Sequence, residues 1–438
     1  MATSSAPRSQ ISAAPTGARH TVTLFAVLLA VVMYVDRVTL SQAAPFIQQD
    51  LGLTKGQLGV AFAMFGWAYA LFEIPGGWLG DRIGPRRVLM RIVLWWSFFT
   101  AATGLVFSQM SLVITQTLFG AGEAGCFPNL TKVFSIWLPK RDRERAQSIL
   151  WLATRWGGAL TPMLVMYLLR YVHLSWRVVF MIFGSVGIFW AVAFYRWFRD
   201  SPADHPAVNA AELAMLPPAH ESAAVHSFPF KTMISNSSVV LLCLSYGCLA
   251  YGWWFYVTWL PTYLREARQT TLQMNPFELA LLTGFPLLLG GVGCLISGWI
   301  GPRLAVRLNS VKLARRILAI FGFVGASGSI FFFTTVQDPV KAMFVLGFAG
   351  FFNDFIMPSA WASAMDIGGR FAGTVSGAMN MVGGIAGATS SLFVPILLGW
   401  TSNDWTMTLY ISASIYLLGG VMWLFIDPHT PMTQPEMA

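Results

Sequence analysis

Gly77-Trp78-Leu79-Gly80-Asp81-Arg82-Ile83-Gly84-Pro85-Arg86-Arg87 is a charged, glycine-spaced stretch set between two long apolar runs, one beginning near Gln57 and the next near Val88. Far along the chain, Gly298-Trp299-Ile300-Gly301-Pro302-Arg303 follows another apolar run and matches the first stretch in character at five of six positions. A fainter echo pairs Arg145-Ala146 with Arg370-Phe371-Ala372, each opening an apolar run. Apolar runs joined by short charged turns, repeated in two halves, are the pattern of an integral membrane protein with a site between the halves.

Outward from these stretches, apolar runs long enough to cross ~30 Å of hydrocarbon begin near Thr21, Gln57, Val88, Ser111, Ala146, Trp176, Ser237, Leu279, Leu313, Lys341, Gly373 and Met407. The reading is an all-α membrane protein of twelve transmembrane helices in two pseudo-symmetric six-helix bundles. Residues 1–20 are then a tail, 21–198 the first bundle, 199–232 a polar, proline-bearing linker, 233–427 the second bundle and 428–438 a second tail. Composition agrees, since 55% of the 438 residues are hydrophobic and 11% charged, against roughly 25% charged in soluble domains.

The net charge of +9 raises nucleic acid as a partner, but its distribution argues for a membrane instead. With the spans placed as above, nineteen of the 28 Lys and Arg fall on one side, and six, Lys55, Arg170, Arg177, Arg265, Arg268 and Lys341, on the other. That bias puts both termini in the cytoplasm of a multi-pass inner-membrane protein, with the bilayer as partner and no nucleic acid. The polar first twenty residues lead straight into a full-length apolar run, unlike a cleaved secretory signal. Cys126, Cys243, Cys248 and Cys294 sit in apolar runs without metal-ligand spacing and read as small hydrophobes. Most span glycines, such as Gly157-Gly158 and Gly383-Gly384, read as close packing.

The Gly77-x-Leu79-x-Asp81-Arg82-x-Gly84-x-Arg86-Arg87 motif resembles the loop between helices two and three of the major facilitator superfamily, over essentially the whole chain. Physically, Asp81 near a helix end can pair with cytoplasmic arginines and with a neighbouring helix end, a latch formed in one conformation and broken in the other. In the second copy Pro302 replaces the acid, so the latch is expected to be lopsided. Tyr34-Val35-Asp36-Arg37-Val38-Thr39-Leu40-Ser41, Gly122-Glu123-Ala124-Gly125-Cys126-Phe127-Pro128 and Trp259-Leu260-Pro261-Thr262-Tyr263-Leu264 resemble the anion:cation symporter branch, which includes sugar-acid:proton symporters.

A charge at bilayer depth costs at least ~2.5 kcal/mol, so it is a functional candidate by default; Asp36, Arg37, Glu73, Glu123 and Arg155 qualify. Asp36 and Arg37 lie about 100° apart on a helix and cannot pair tightly with each other, but they are expected to share a cavity wall. Arg37 offers a planar fork that matches a carboxylate, and by resemblance it holds the substrate anion. Asp36 is a candidate to load and release a proton, and Glu123 a second one, its family counterpart being a carboxylate whose protonation is tied to substrate movement. Glu73 reads either as a third titrating group or as a partner for a cytoplasmic arginine.

Relatives carry an arginine seven residues before that glutamate, where this chain has Gln116. Arg155, deep in the apolar run Leu150–Trp156, is expected to supply the missing cation, either neutralising Glu123 or completing the anion site. Tyr34, Tyr69, Ser359, Trp361 and Asn380 are by resemblance the hydroxyl and stacking contacts, and Asp354 a further cavity acid.

The function expected is secondary transport of a small organic anion, a hexonate or hexuronate for example, by proton symport through alternating access, in a monomer without cofactor or metal. A drug:proton antiporter of the same fold is the alternative, with less need for Arg37 and Arg155. A membrane enzyme is disfavoured, since no Ser/His pair, histidine cluster or nucleotide loop lies in the spans.

Overall fold

Backbone amides in hydrocarbon must find partners within their own segment, so an apolar chain of this length resolves into helices. The computed structural model describes residues 14–217, 228–259, 263, 276–402 and 404–432, and among them there is no strand. The first half crosses in spans one (Ala18–Leu51), two (Lys55–Ile83), three (Pro85–Thr103), four (Gln109–Glu123 continued by Cys126–Trp137), five (Lys140–Arg170) and six (Trp176–Trp197). The second crosses in spans seven (Ser237–Thr258), eight (Pro276–Arg307), nine (Val311–Thr335), ten (Pro339–Phe355 continued by Met357–Gly368), eleven (Ala372–Trp400) and twelve (Trp405–Trp423). Among the described residues eight helical runs are long and apolar enough to cross a membrane, and one of them, Val340–Trp400, is long enough to hold both spans ten and eleven. Spans three, four and five fall short, for span three opens on Arg86, Arg87 and Arg91, span four is broken, and span five buries Arg155.

The ends are set by local chemistry. Thr54 and Gln57 form a reciprocal cap on span two, and Ser175, Asn236, Ser310 and Asp338 each accept a backbone N–H at the start of a span. Gly84 takes a positive φ of 88° in the turn between spans two and three, with the Asp200 carboxylate packed against the face a Cβ would fill. Span five departs from its expected start near Ala146: the Lys140–Arg145 segment is helical too, carrying the span beyond its apolar part. The breaks in spans four and ten are not expected from the apolar pattern. In span four the chain turns at Gly125, whose φ is 80°.

Between the halves, span two packs on span eleven and span five on span eight, with the second helices of spans four and ten wedged alongside. Spans two and eleven come within backbone distance: a Cβ on Gly377 would lie 2.6 Å from the Glu73 carbonyl oxygen, so small residues let the two halves close. Span one starts against the linker, where Glu212 of a short helix, Ala210–Leu213, is buried beneath the tail. The remaining tail and linker residues, 1–13, 218–227 and 433–438, and most of Trp259–Leu264 lie outside the described residues.

Candidate functional site

A cavity of about 580 Å³ lies between the halves. Its wall is mostly apolar and aromatic, with Tyr34 and Arg37 from span one, Tyr69 from span two, Trp151 and Arg155 from span five, Tyr246 and Trp253 from span seven and Asn380 from span eleven. It runs along span two towards Gly59 and along span eleven towards Leu392, away from the end of the bundle that carries the termini and linker.

Arg37 faces this cavity with a quarter of its side chain exposed. Its Nη2 and Nε donate to one oxygen of Glu123, Oε2, at 3.0 and 3.3 Å, while Oε1 of the same buried carboxylate has no hydrogen-bond partner. The Arg37 guanidinium also lies 4.5 Å from the Tyr69 ring centre and 5.6 Å from that of Tyr34, one turn before it on span one. Tyr34 and Arg37 share the cavity wall because they are three apart on a helix.

Asp36 does not share that wall, and the expectation is corrected. The helical turn between neighbours points it into the first bundle, where it is buried and accepts a hydrogen bond from Trp96 Nε1 of span three at 3.0 Å. It thus sits behind the cavity, close enough to Glu123 for the two carboxyls to interact electrostatically. Glu73 is buried beneath the wall. Asn380 Nδ2 donates to Glu73 Oε1 at 2.8 Å and to the Tyr69 hydroxyl at 3.1 Å, and Tyr69 also hydrogen-bonds Glu73, so among the described residues the side-chain partners of Glu73 are an amide from the other half and a neighbouring tyrosine, and no cytoplasmic arginine.

Arg155 is gripped by Asp354 and not by Glu123, correcting the first of its two expected roles. Nε and Nη2 donate to the two Asp354 oxygens at 2.6 and 2.9 Å, a side-on bidentate pair joining spans five and ten. Asn353 Nδ2 donates to the same carboxylate at 2.9 Å, and the Tyr416 hydroxyl donates to Asn353 Oδ1 at 2.7 Å, so the acid is braced from behind. Arg155 Nη1 points the other way and donates to the Tyr34 hydroxyl at 3.3 Å, with Trp253 stacked 3.8 Å from the guanidinium carbon.

Gln116 and two of the predicted contact residues, Ser359 and Trp361, lie off the cavity wall. Gln116 Nε2 donates to Thr103 Oγ1 at 3.0 Å inside the first bundle. The Ser359 hydroxyl donates to Glu144 Oε1 at 2.6 Å, linking span ten to span five. Trp361 is fully buried beneath the cavity floor, against Phe127, Trp151 and Tyr246. The resemblance carried Ser359 and Trp361 over by position, and the helix break in span ten turns them into the seam between the halves; Gln116, ahead of the break in span four, stays within the first bundle.

That seam is closed at the terminus-bearing end. Asp81 accepts from the Gly373 and Thr374 amides at 3.0 and 2.6 Å and from the Thr374 hydroxyl at 2.7 Å, capping span eleven across the interface, with Lys132 Nζ 3.5 Å away. A Cβ at Gly77 would meet the Gly373 carbonyl. The motif arginines play no direct part in this cap: Arg82 stacks on Trp78, and Arg86 donates to the Tyr195 carbonyl within the first half. Arg87 lies near Asp200, beside Gly84. Asp366 meanwhile takes Arg143 at 2.6 Å and Arg315 at 2.8 Å, tying spans five and nine through span ten. Arg143, Arg315, Lys132 and Glu144 carried no functional signal in the sequence, where charges at span ends are read as topology.

The model of the Major Facilitator Superfamily matches residues 26–391. The probable sulfoacetate transporter SauU of Cupriavidus necator is 34% identical over 429 residues, covering 95% of this chain and 96% of that protein. The D-galactonate transporter of Escherichia coli is 28% identical over 433 residues, covering 95% and 97%. Among solved structures, the proton:xylose symporter XylE superposes with a TM-score of 0.74 over 93% of this chain and 96% of that one, at 15% identity, a likeness of fold.

Proposed function

This chain belongs to the major facilitator superfamily, and on that premise we propose that it imports a small organic anion, such as a sugar acid, together with protons. Its standing as a multi-pass membrane transporter follows from the family and the apolar spans. The finer reading rests on one observation: Arg37, the more exposed of the two arginines on the cavity wall, is held by a carboxylate through a single oxygen.

In this proposal an incoming carboxylate competes with Glu123 for the Arg37 fork. Protonating Glu123 releases the guanidinium, so anion and proton enter together and leave the cavity with little net charge, which lowers the cost of closing it. Asp36, behind the wall and coupled to Glu123, relays or stores the proton, and Glu73 is a third candidate carrier. Tyr34, Tyr69 and Asn380 meet the substrate hydroxyls. The halves, 21–198 and 233–427, rock about the site as alternating access requires. The reading further places a monomer in the inner membrane with both termini cytoplasmic. The closed, terminus-bearing end then faces the cytoplasm and the conformation is outward-facing.

The test is uptake of radiolabelled galactonate, glucuronate and sulfoacetate into proteoliposomes under an inward proton gradient. Gradient-driven uptake is expected in the wild type and background uptake in Arg37→Gln. Glu123→Gln is expected to lose uphill uptake while keeping anion exchange between preloaded compartments. Uptake indifferent to the gradient, or gradient-driven extrusion of lipophilic cations instead, would overturn the reading.

A further inference from the structure

Arg37 and Arg155 are presented in the same way. Each guanidinium is held on its Nε–Nη2 edge by a carboxylate at the break of a span, Glu123 or Asp354, and each lines the same cavity. Tyr34 stands between them, its ring 5.6 Å from the Arg37 carbon and its hydroxyl 3.3 Å from Arg155 Nη1. An arginine has five N–H donors, so a side-on grip leaves the end bearing Nη1 able to donate to a second acid. One tyrosine side chain separates the two ends.

The two grips differ in firmness. Both donors of Arg37 converge on a single Glu123 oxygen, whereas Asp354 meets Arg155 with both oxygens and is itself braced by Asn353 and Tyr416. Trp253 stacked on the guanidinium and the nearly complete burial of the pair fix Arg155 further. Arg155 is therefore a fixed fork, presenting one orientation of donors to whatever fills the cavity.

We infer that the site is built for a dianion, a short carbon chain with an acidic group at each end, one end taken by Arg37 and the other by the Nη1 end of Arg155. This rests on the anion reading above and adds the substrate class. Asp354 stays in place as the positioning group. Because Asp354 already balances Arg155, the second acidic group brings a net negative charge with it, so the dianion requires one more proton per cycle than a monoanion does.

The experiment compares galactarate with galactonate, the same six-carbon hydroxy acid with and without a second terminal carboxylate, and adds sulfoacetate as a shorter dianion. Affinities are measured by isothermal titration on the purified full-length protein. A galactarate preference of about tenfold or more is expected in the wild type, the worth of one charge-assisted contact. That ratio is expected to fall towards one in Arg155→Gln/Asp354→Asn, which removes both charges and strands neither. Should that variant fail to fold, Arg155→Lys, which keeps the charge but loses the fork, is expected to reduce the ratio. Equal wild-type affinity for the two acids, or a ratio unmoved by the variant that folds, overturns the dianion inference while leaving the anion reading standing. If the wild type binds none of the three compounds, the anion reading itself fails and the inference falls with it.

Discussion

Spans four and ten, which occupy matching places in the two halves, both break, and both carry an acid at the break: Glu123 ends its helix, and Asp354 is last but one in its own. The cations they hold do not follow the same symmetry. Both arginines come from the first half, Arg37 from span one and Arg155 from span five, while span seven, the mate of span one, contains no Lys or Arg. Two acids thus stand at matching breaks, and the guanidiniums they hold differ in freedom. Glu123 pairs within its bundle, so its ion pair can open without separating the halves. Asp354 pairs across the interface, so its ion pair also joins them.

Removing each cation in turn puts this difference under the greatest load. Arg155→Gln leaves Asp354 buried without its partner, and stranding one member of such a pair costs about 3–5 kcal/mol. A matching fall in melting temperature of the purified protein is expected, mostly restored by adding Asp354→Asn. Arg37→Gln is expected to cost clearly less, since Arg37 is a quarter exposed and grips one oxygen. Equal losses for the two variants would mean that the grips do not differ in kind.

A second asymmetry lies at the closed end. Asp81 caps span eleven from span two, but at the matching place beyond span eight stands Pro302, and there Glu144 of span five packs against Gly301. Asp81→Asn removes the charge behind three hydrogen bonds, each worth about 1.5–3 kcal/mol when an ionised acceptor is involved. Even the smallest value shifts the closed-to-open balance about tenfold. Spin-label distances between the halves on the terminus-bearing side are expected to lengthen. Pro302→Asp is expected to add no closure, because Glu144, packed against the neighbouring Gly301, already puts an acid at this place; added closure would show the lopsidedness to be incidental.

These contrasts also mark what could be read from residues alone. Span order and starts were legible because hydrocarbon imposes helices and apolar length is written in every run, so that only the charged prefix of span five was missed. Arg37 was legible because a buried cation is costly; Tyr34 and Tyr69 came only from the resemblance, and both line the cavity beside it. Asp36 was placed on the wrong face by treating adjacency as proximity. Arg155 stood out as a buried charge, but its partner did not: Glu123 and Asp354 are both far away in sequence, and only the packing of span five on span ten selects between them. Ser359 and Trp361 shifted from wall to seam because a broken helix re-aims the residues beyond its break, and the glycines around Glu123 read equally well as packing.

The smallest effect tests whether the two halves are anchored differently at their polar ends. Span one is tied to the linker by Glu212, which accepts from the Thr16 hydroxyl, from the Ala18 and Arg19 amides at 3.1 Å each and from the Arg19 guanidinium at 3.2 Å. The second half has the Lys312–Asp427 pair, with side chains 36% and 26% exposed, where water screens much of the attraction. Burial pushes the Glu212 carboxyl up, but those donors outweigh it and hold the carboxyl below its ordinary value. A depressed carboxyl contributes stability that is fully present above its unfolded value and is lost as pH falls through the folded one. Glu212→Gln is therefore expected to lower the melting temperature at pH 7, with the gap from wild type closing below the ordinary glutamate value of about 4.3. Asp427→Asn is expected to change the melting temperature less across the same range, because its pair is half in solvent. A Glu212→Gln gap that stays constant with pH would assign the anchor to packing of the short linker helix instead of to the charge.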